Sequence, residues 1–217
     1  MTARVAVVDY GMGNLYSVCR ALEHVGAEAV LTEDPRAVLE ADRVVLPGVG
    51  AFRDGMDELA RRGLVPALRE YAAGGRMMLG ICLGMQMLFD ESEEFGRHMG
   101  LAIIPGAVRA IPAAGADGKP HKIPHVGWSA VRPPATTAHW TGTLLEGTAE
   151  GTDFYFVHSY TGVPESHESR LADADYDGCI ISAAVRRGNV YGFQFHPEKS
   201  GQAGLNLLQR FISVNAR

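Results

Sequence analysis

Short apolar runs alternate with helical patterns along the first half of the chain, and this alternation limits the folds that the sequence can adopt. The runs with strand character are residues 5–8, 28–31, 43–46 and 76–79. Continuously apolar strands separated by helices are typical of a parallel sheet that is covered on both faces. Ligands bind at the carboxyl ends of such strands. The glycine-containing turns after the first, third and fourth runs are therefore expected at one functional edge.

The fold class predicted from this pattern is α/β. We expect a single flavodoxin-like domain, residues 1–217, with a mixed, mainly parallel sheet flanked by helices. Met56, Leu59 and Leu64 are predicted to form the inner face of one helix, and Leu88 and Phe89 to continue the helix that follows residue 82. The second half predicts further strands, partly antiparallel, and a final helix; these span residues 153–157, 178–185, 190–195 and 204–214.

Composition excludes several classes of function. Among the 217 residues, 47% are hydrophobic and 21% are charged, and the net charge is -5, so nothing favours nucleic-acid binding. No apolar run approaches the roughly 18 residues that cross a bilayer, so we expect no membrane association. Three cysteines are too few for a disulfide framework and indicate reduced thiols in a cytoplasmic protein.

The run Gly80-Ile81-Cys82-Leu83-Gly84 has the spacing of a nucleophile elbow with cysteine as the nucleophile. Glycines on both sides permit a sharp turn from strand to helix, because they carry no Cβ atom to clash there. The helix N-terminus stabilises a thiolate, and the Leu83 N–H is placed to hold an oxyanion. A buried structural cysteine is the alternative interpretation of this motif alone.

His196-Pro197-Glu198 supplies a base and a carboxylate at the end of a strand-like run. In an extended strand, residues i and i+2 share a face. We therefore expect Glu198 to hold one imidazole nitrogen while the other faces Cys82. A polar surface turn is the alternative. Together the two motifs predict a cysteine-dependent acyl-transfer enzyme.

A third turn, Pro47-Gly48-Val49-Gly50, ends the third apolar run. Its backbone can bring an N–H to a developing oxyanion at the same edge of the sheet as Cys82. An ordinary turn between strand and helix is the alternative.

The remaining motifs predict no cofactor and no metal site. Tyr16 stands where a dinucleotide-binding loop needs its third glycine, which excludes that interpretation of the glycines before it. His121 and His125 are four residues apart, but the prolines beside them exclude a helical metal pair. With His139, they are predicted to be solvated loop histidines.

These motifs resemble those of a known family. Residues 80–86 and 195–198 resemble the class I (triad) glutamine amidotransferases. Within that family, the chain is similar to the glutaminase subunits of imidazole glycerol phosphate synthase, an enzyme of histidine biosynthesis. The motifs that carry this closer likeness occupy residues 9–15, 46–52, 124–128, 154–160 and 192–200.

The resemblance implies a role for each matching residue. Cys82 would attack the carboxamide of glutamine, His196 would shuttle the proton, and Glu198 would orient His196. The oxyanion would be held by the N–H groups of Gly50 and Leu83. Further matching positions would hold glutamine, namely Gln86, Glu94, Ser159 and Tyr160, where Glu94 belongs to an acidic run with Glu91 and Glu93.

The resemblance also implies a partner, a (β/α)8-barrel cyclase subunit that receives the ammonia in a heterodimer. Positions matching that interface are Asn14, Trp128, Tyr155 and Lys199. The segment Gly48-Val49-Gly50 would switch the glutaminase on when the cyclase is bound and liganded. Three alternatives stay open: an amidotransferase subunit of another pathway, a stand-alone γ-glutamyl hydrolase, and a flavodoxin-like binding module without catalysis.

Overall fold

The computed structural model describes residues 2–135 and 139–214. This part of the chain forms a nine-stranded and a four-stranded sheet. In chain order the strands are β1 (Arg4–Val8), β2 (Glu28–Thr32), β3 (Arg43–Gly48), β4 (Met77–Cys82), β5 (Phe89–Ser92), β6 (His98–Met99), β7 (Ile104–Ala110), β8 (His125–Arg132), β9 (Thr152–His158), β10 (Tyr160–Pro164), β11 (Arg170–Tyr176), β12 (Cys179–Arg187) and β13 (Val190–Phe193). The helices are α1 (Leu15–His24), α2 (Pro35–Glu40), α3 (Phe52–Arg61), α4 (Leu64–Ala73), α5 (Leu83–Met87) and α6 (Gly201–Ser213).

The large sheet is mixed, with the strand order β2-β1-β3-β4-β13-β12-β11-β8-β9. The first five strands in this order pair in parallel, and the last five, which share β13, pair antiparallel. The predicted mixed α/β architecture is confirmed, although the antiparallel part is as extensive as the parallel part. The small sheet, β10-β7-β5-β6, was not predicted.

Helices cover both faces of the parallel strands. Val5 and Val7 of β1 belong to a core shared with α1 and α6, whereas Ala6 and Val8 belong to a second core shared with helices α2 to α5. Successive side chains of a strand point to opposite faces. A strand buried on both faces therefore has to be apolar at every position, which is the pattern seen in the sequence.

The helices differ from the sequence prediction in several places. Leu64 begins α4 instead of extending the helix of Met56, because Gly63 adopts φ +68 and separates α3 from α4. The helix after Cys82 ends at Met87, and Phe89 begins β5. The short helix α2 was not predicted; the Asp34 side chain caps it by accepting a hydrogen bond from the Arg36 N–H. No helix in 2–135 or 139–214 is long and apolar enough to cross a membrane.

The register of the central strands brings the carboxyl ends of β3, β4 and β13 together. Gly48 lies opposite Cys82 on the neighbouring strand, and Ile81 lies opposite Phe193. The chain after each of these three strands therefore leaves from the same edge of the sheet. This edge carries the predicted site.

Candidate active site

Cys82 sits on a sharp turn between β4 and α5. Its backbone adopts φ 54 and ψ -111, a region that residues other than glycine rarely occupy. The glycines on either side make the turn sterically possible. A Cβ on Gly84 would lie 1.8 Å from the Leu46 carbonyl oxygen, and one on Gly80 would lie 2.7 Å from the Gly84 oxygen. The chain thus makes the turn that the motif predicts.

His196 and Glu198 are in direct contact, but not in the way that the sequence suggested. The His196 Nδ1 lies 2.8 Å from Glu198 Oε1, and both side chains are buried. The predicted extended geometry is wrong, because β13 ends at Phe193 and Pro197–Lys199 forms a 3₁₀ turn. This turn brings the carboxylate back to the imidazole. Proline fixes φ near the value that such a turn requires.

The groups around His196 favour its protonated form. Burial lowers the pKa of His196, but the Cys82 thiol and the Glu198 carboxylate outweigh burial and raise that pKa to about 9. Because a carboxylate only accepts hydrogen bonds, Nδ1 is the nitrogen that donates to Glu198. Nε2 is buried and has no hydrogen-bond partner of normal geometry in the described residues. Of the two partners that raise the His196 pKa, Cys82 contributes more than Glu198.

Two further groups contact the sulfur of Cys82. The Val157 carbonyl oxygen lies 3.7 Å from Sγ, and the Nε2 atom of Gln194 lies 3.8 Å from it. Sequence reasoning missed Gln194. The signal in the sequence was a single amide residue between Phe193 and Phe195 in an otherwise apolar run, and the structure shows that this amide is fully buried.

The predicted oxyanion segment follows β3 at the same edge. Gly50 has φ +109, and a Cβ there would lie 2.6 Å from the terminal methyl group of Met12. The buried Tyr10 hydroxyl donates a hydrogen bond to the Pro47 carbonyl oxygen over 2.8 Å. Burial, with a smaller contribution from Cys82, raises the pKa of Tyr10, which keeps this hydroxyl protonated. The start of the segment is thus anchored, whereas Val49 and Gly50 are exposed.

Comparison with known sequences identifies the family. The family described as glutamine amidotransferase class-I matches residues 6–214. The chain belongs to the class I glutamine amidotransferases. The family membership predicted from the motifs is thereby confirmed.

Several relatives of this amidotransferase carry one name, imidazole glycerol phosphate synthase subunit HisH. The Syntrophotalea carbinolica protein is 49% identical over 211 residues, which cover 95% of this chain and 98% of the relative. The Moorella thermoacetica protein is 47% identical over 207 residues, which cover 95% of this chain and 93% of the relative. The protein named HisH 1 from Legionella pneumophila (strain Lens) is 45% identical over 210 residues, which cover 97% and 99%.

Solved structures share the fold of this amidotransferase. The structure of PurLQS from Thermotoga maritima has a TM-score of 0.73 at 20% identity and covers 98% of this chain and 99% of that chain. A crystal structure of a glutamine amidotransferase has a TM-score of 0.71 at 18% identity, with coverages of 97% and 99%. At these identities the likeness concerns the fold alone, and it confirms the predicted architecture.

The residues predicted to hold glutamine lie on α5, just after β5, and at the junction of β9 and β10. Gln86, on α5, donates its Nε2 to the Tyr160 carbonyl oxygen over 2.9 Å and to Gln194 Oε1 over 3.0 Å. Ser159 lies between β9 and β10, and its carbonyl oxygen accepts from the Ile111 N–H. Gln86 and Tyr160 are therefore joined directly.

Glu94 is the inward-facing member of the acidic run. Its carboxylate accepts a hydrogen bond from the Phe52 N–H over 2.6 Å, at the first residue of α3. Glu91 instead pairs with Arg97, and Glu93 pairs with Arg109. Glu94 is thus anchored two residues after Gly50, beside the oxyanion segment.

Three of the predicted interface residues form one cluster. Trp128 is 57% exposed and meets the Tyr155 ring edge-on at 6.0 Å, while the Lys199 Nζ lies 5.9 Å from the centre of that ring. Asn14 is the N-cap residue of α1, a helix that packs against the 3₁₀ turn containing Lys199.

The histidines predicted to be solvated are buried in two of three cases. His125 is 2% exposed and stacks on Tyr176 at 4.1 Å. The His121 side chain is 5% exposed and contacts the same ring at 4.7 Å. Only His139 is exposed as predicted. Tyr176 belongs to β11, which was not predicted, so the sequence did not show what would cover these rings.

His125 contacts a second buried histidine, His158. His125 Nδ1 lies 3.0 Å from His158 Nε2, and His158 Nδ1 lies 2.8 Å from the Tyr160 carbonyl oxygen. Burial lowers the pKa of His158 to about 3; the bond to Tyr160 opposes this shift, and His125 and His196 add to it. His158 is therefore neutral at physiological pH.

Because folded His158 is neutral, we expect the folded protein to lose stability in acid. The unfolded chain binds a proton near the ordinary His pKa of 6.5, whereas folded His158 binds it only near pH 3. Stability is therefore lost as pH falls through this window, and His158 contributes a loss of about 2 kcal/mol between about pH 7 and about pH 5. Urea unfolding at both pH values should show a smaller loss in His158→Asn, which keeps an N–H donor but does not titrate.

A matched variant tests the assignment to His158. His24 is exposed, so His24→Asn should lose as much stability on acidification as the unmodified protein. If His158→Asn and the unmodified protein lose equal stability between these pH values, the low pKa of His158 is refuted.

Proposed function

We propose that the chain is the glutaminase subunit of imidazole glycerol phosphate synthase, acting as a single amidotransferase domain over residues 1–217. It hydrolyses glutamine to glutamate and ammonia and delivers the ammonia to a cyclase subunit in histidine biosynthesis. The observation that carries this proposal is the buried Cys82, His196 and Glu198 set at one edge of the sheet, with the His196 pKa at about 9. The name shared by relatives up to 49% identical supports the specific pathway.

The mechanism follows from the proton positions. The Cys82 thiolate attacks the carboxamide carbon of glutamine, and the negative charge moves to the carboxamide oxygen. The N–H groups of Leu83 and Gly50 stabilise that oxyanion. Protonated His196 gives its proton to the leaving nitrogen, which departs as ammonia and leaves a γ-glutamyl thioester.

Hydrolysis of the thioester restores the enzyme. Neutral His196 removes a proton from water, and the resulting hydroxide attacks the thioester carbon. The C–S bond breaks, glutamate leaves, and the thiolate returns beside the recharged imidazolium. Glu198 holds Nδ1–H throughout, which keeps Nε2 directed at the reaction.

Gln86, Glu94, Ser159 and Tyr160 are proposed to hold glutamine. Gln86 uses its Nε2 on Tyr160 and Gln194, and no described residue donates to its Oε1, which is therefore available to accept an N–H of the substrate. The carboxylate of Glu94 contacts the Phe52 N–H through Oε2, so Oε1 is suited to the substrate ammonium group.

The partner is proposed to be a (β/α)8-barrel cyclase that binds the cluster of Trp128, Tyr155 and Lys199 together with Asn14. An exposed tryptophan such as Trp128 is a typical anchor of protein interfaces. Val126 and Ile123, which are 49% and 38% exposed, add apolar surface along the same strand and its entry. A cytoplasmic location is proposed from the sparse, unpaired cysteines.

The decisive experiment is a glutaminase assay of this chain with and without the barrel cyclase and its ribonucleotide substrate. We expect glutamate formation to rise about 10- to 100-fold when both are added, because a liganded partner favours the competent state of the 48–50 segment. The cyclase without its ligand is the control and should activate less.

Other outcomes select the alternatives. Full activity of the isolated chain would favour a stand-alone γ-glutamyl hydrolase. Activation only by a different acceptor subunit would favour another amidotransferase pathway. A Cys82 that stays unreactive towards a glutamine-analogue electrophile, even with partner and ligand present, would favour a binding module.

A further inference from the structure

Gln194 is a buried amide whose position the proposed mechanism does not yet use. It is fully buried, directly after β13, and its neighbours Phe193 and Phe195 are buried aromatic residues. An amide in such a place is costly unless its polar atoms are hydrogen-bonded. Its Oε1 accepts from Gln86 over 3.0 Å, and its Nε2 faces the Cys82 sulfur at 3.8 Å.

A backbone carbonyl determines which end of the Gln194 amide faces the Cys82 sulfur. The Tyr160 oxygen can only accept, so the groups that contact it, Gln86 Nε2 and His158 Nδ1, must both donate. The second hydrogen of the Gln86 amide then points at Gln194, which must present its oxygen. The Gln194 N–H₂ group is consequently the end that faces sulfur.

The Tyr160 carbonyl also determines where the protons lie on three further side chains, His158, His125 and Ser129. Since His158 is neutral and carries its proton on Nδ1, its Nε2 must accept, and His125 Nδ1 must donate to it over 3.0 Å. His125 Nε2 then accepts from the Ser129 hydroxyl over 2.8 Å. One assignment of protons therefore satisfies every bond from Ser129 to the sulfur.

We propose that Gln194 is a further catalytic residue of the glutaminase site, donating an amide N–H to the Cys82 sulfur. Gln86, His158, His125 and Ser129 act as positioning residues that hold this amide in one direction. The inference rests on the proposed function and adds a residue to its site.

Gln194 and Val157 act on opposite forms of the nucleophile. The Val157 carbonyl can bind only the thiol, because it accepts the S–H, whereas the Gln194 amide binds the thiolate more strongly than the thiol. Gln194 thus favours the form that attacks glutamine. It also contacts sulfur when the thiolate is released again from the thioester.

The first test measures the reaction of Cys82 with iodoacetamide, which requires neither glutamine nor the cyclase. Gln194→Met keeps a similar volume and removes the donor, and we expect about tenfold slower alkylation near neutral pH. Peptide mass spectrometry separates Cys82 from Cys19 and Cys179. Gln202→Met, on the exposed face of α6, is the matched control and should react at the unmodified rate.

A second pair of variants leaves Gln194 in place. His158→Leu removes the donor to the Tyr160 carbonyl, whereas His158→Asn can supply an N–H from Nδ2 at the same place. We expect His158→Leu to lower kcat of the cyclase-activated enzyme about tenfold, and His158→Asn to restore most of it. A merely structural role would lower thermal stability in both variants without this recovery of kcat.

The results separate this inference from the proposed function. If the unmodified complex hydrolyses glutamine, yet Gln194→Met is alkylated and turns over at the unmodified rate, the inference alone is overturned. If the unmodified complex is inactive while Gln194→Met still slows alkylation, the proposed function fails and the contact with sulfur stands. Should Gln194→Met not fold, equal kcat in the two His158 variants would overturn the inference.

Discussion

Replacing Cys82 by alanine should abolish glutamine hydrolysis, with a loss on the order of 10⁶-fold in kcat, as expected for a nucleophile that acts as one unit with its base. The thiol that His196 and Gln194 face is the one that this substitution removes. Alanine leaves the His196–Glu198 contact in place, so the loss would reflect chemistry and not the collapse of the site. The measurement is glutamate release in the presence of the liganded cyclase.

The two other cysteines provide the controls for this experiment. Cys179 is partly exposed and contacts the Ala114 carbonyl oxygen at 3.5 Å, and Cys19 is partly buried on α1. Cys179→Ala and Cys19→Ala should both retain normal turnover. A Cys82→Ala variant that kept most of its cyclase-activated turnover would refute the proposed thioester mechanism.

Gly84→Ala is expected to have the largest effect on folding. Its added Cβ would lie 1.8 Å from the Leu46 carbonyl oxygen, which is backbone and cannot rotate away. Leu46 belongs to β3, which is held in register between β1 and β4. We expect a loss of at least about 3 kcal/mol in the free energy of unfolding, measured by urea denaturation, because overpacking against a fixed strand forces a backbone shift.

A glycine without this constraint provides the comparison. Gly74 has φ -70, and a Cβ there would meet no atom closer than 3.3 Å. Gly74→Ala should therefore change the free energy of unfolding by no more than about 1 kcal/mol. If Gly84→Ala and Gly74→Ala unfolded at the same urea concentration, the close packing of α5 against β3 would be wrong.

The parallel part of the sheet could be predicted because its signal is local. β1, β3 and β4 are apolar at nearly every position, and glycine residues stand in or beside the turn that follows each strand. The elbow at Cys82 was predictable for the same reason. Its neighbours Gly80 and Gly84 are required by contacts within a few residues and with the adjacent strand.

The remaining features depend on contacts between distant segments. β11 contains alternating acidic residues and lacks a clear apolar pattern, so it was not predicted, and the burial of His125 under Tyr176 was missed with it. In the small sheet, β5 pairs with β7 through a register shift, and β7 pairs with β10, which lies about 50 residues further along the chain. No short window of sequence encodes these pairings. The contact between His196 and Glu198 was predicted, but the 3₁₀ turn that makes it was not.

The pairing of β4 with β13 has a consequence for how the protein acquires its fold. Gly80 pairs with Gly192, roughly 110 residues further along the chain, and this junction lies in the middle of the large sheet. During synthesis, β4 with Cys82 leaves the ribosome long before β13 and His196, which follows that strand. We therefore expect closure of the sheet to be a late event in folding. Until it occurs, the nascent chain holds the Cys82 thiol without His196 and Glu198, and it cannot hydrolyse glutamine by the proposed mechanism.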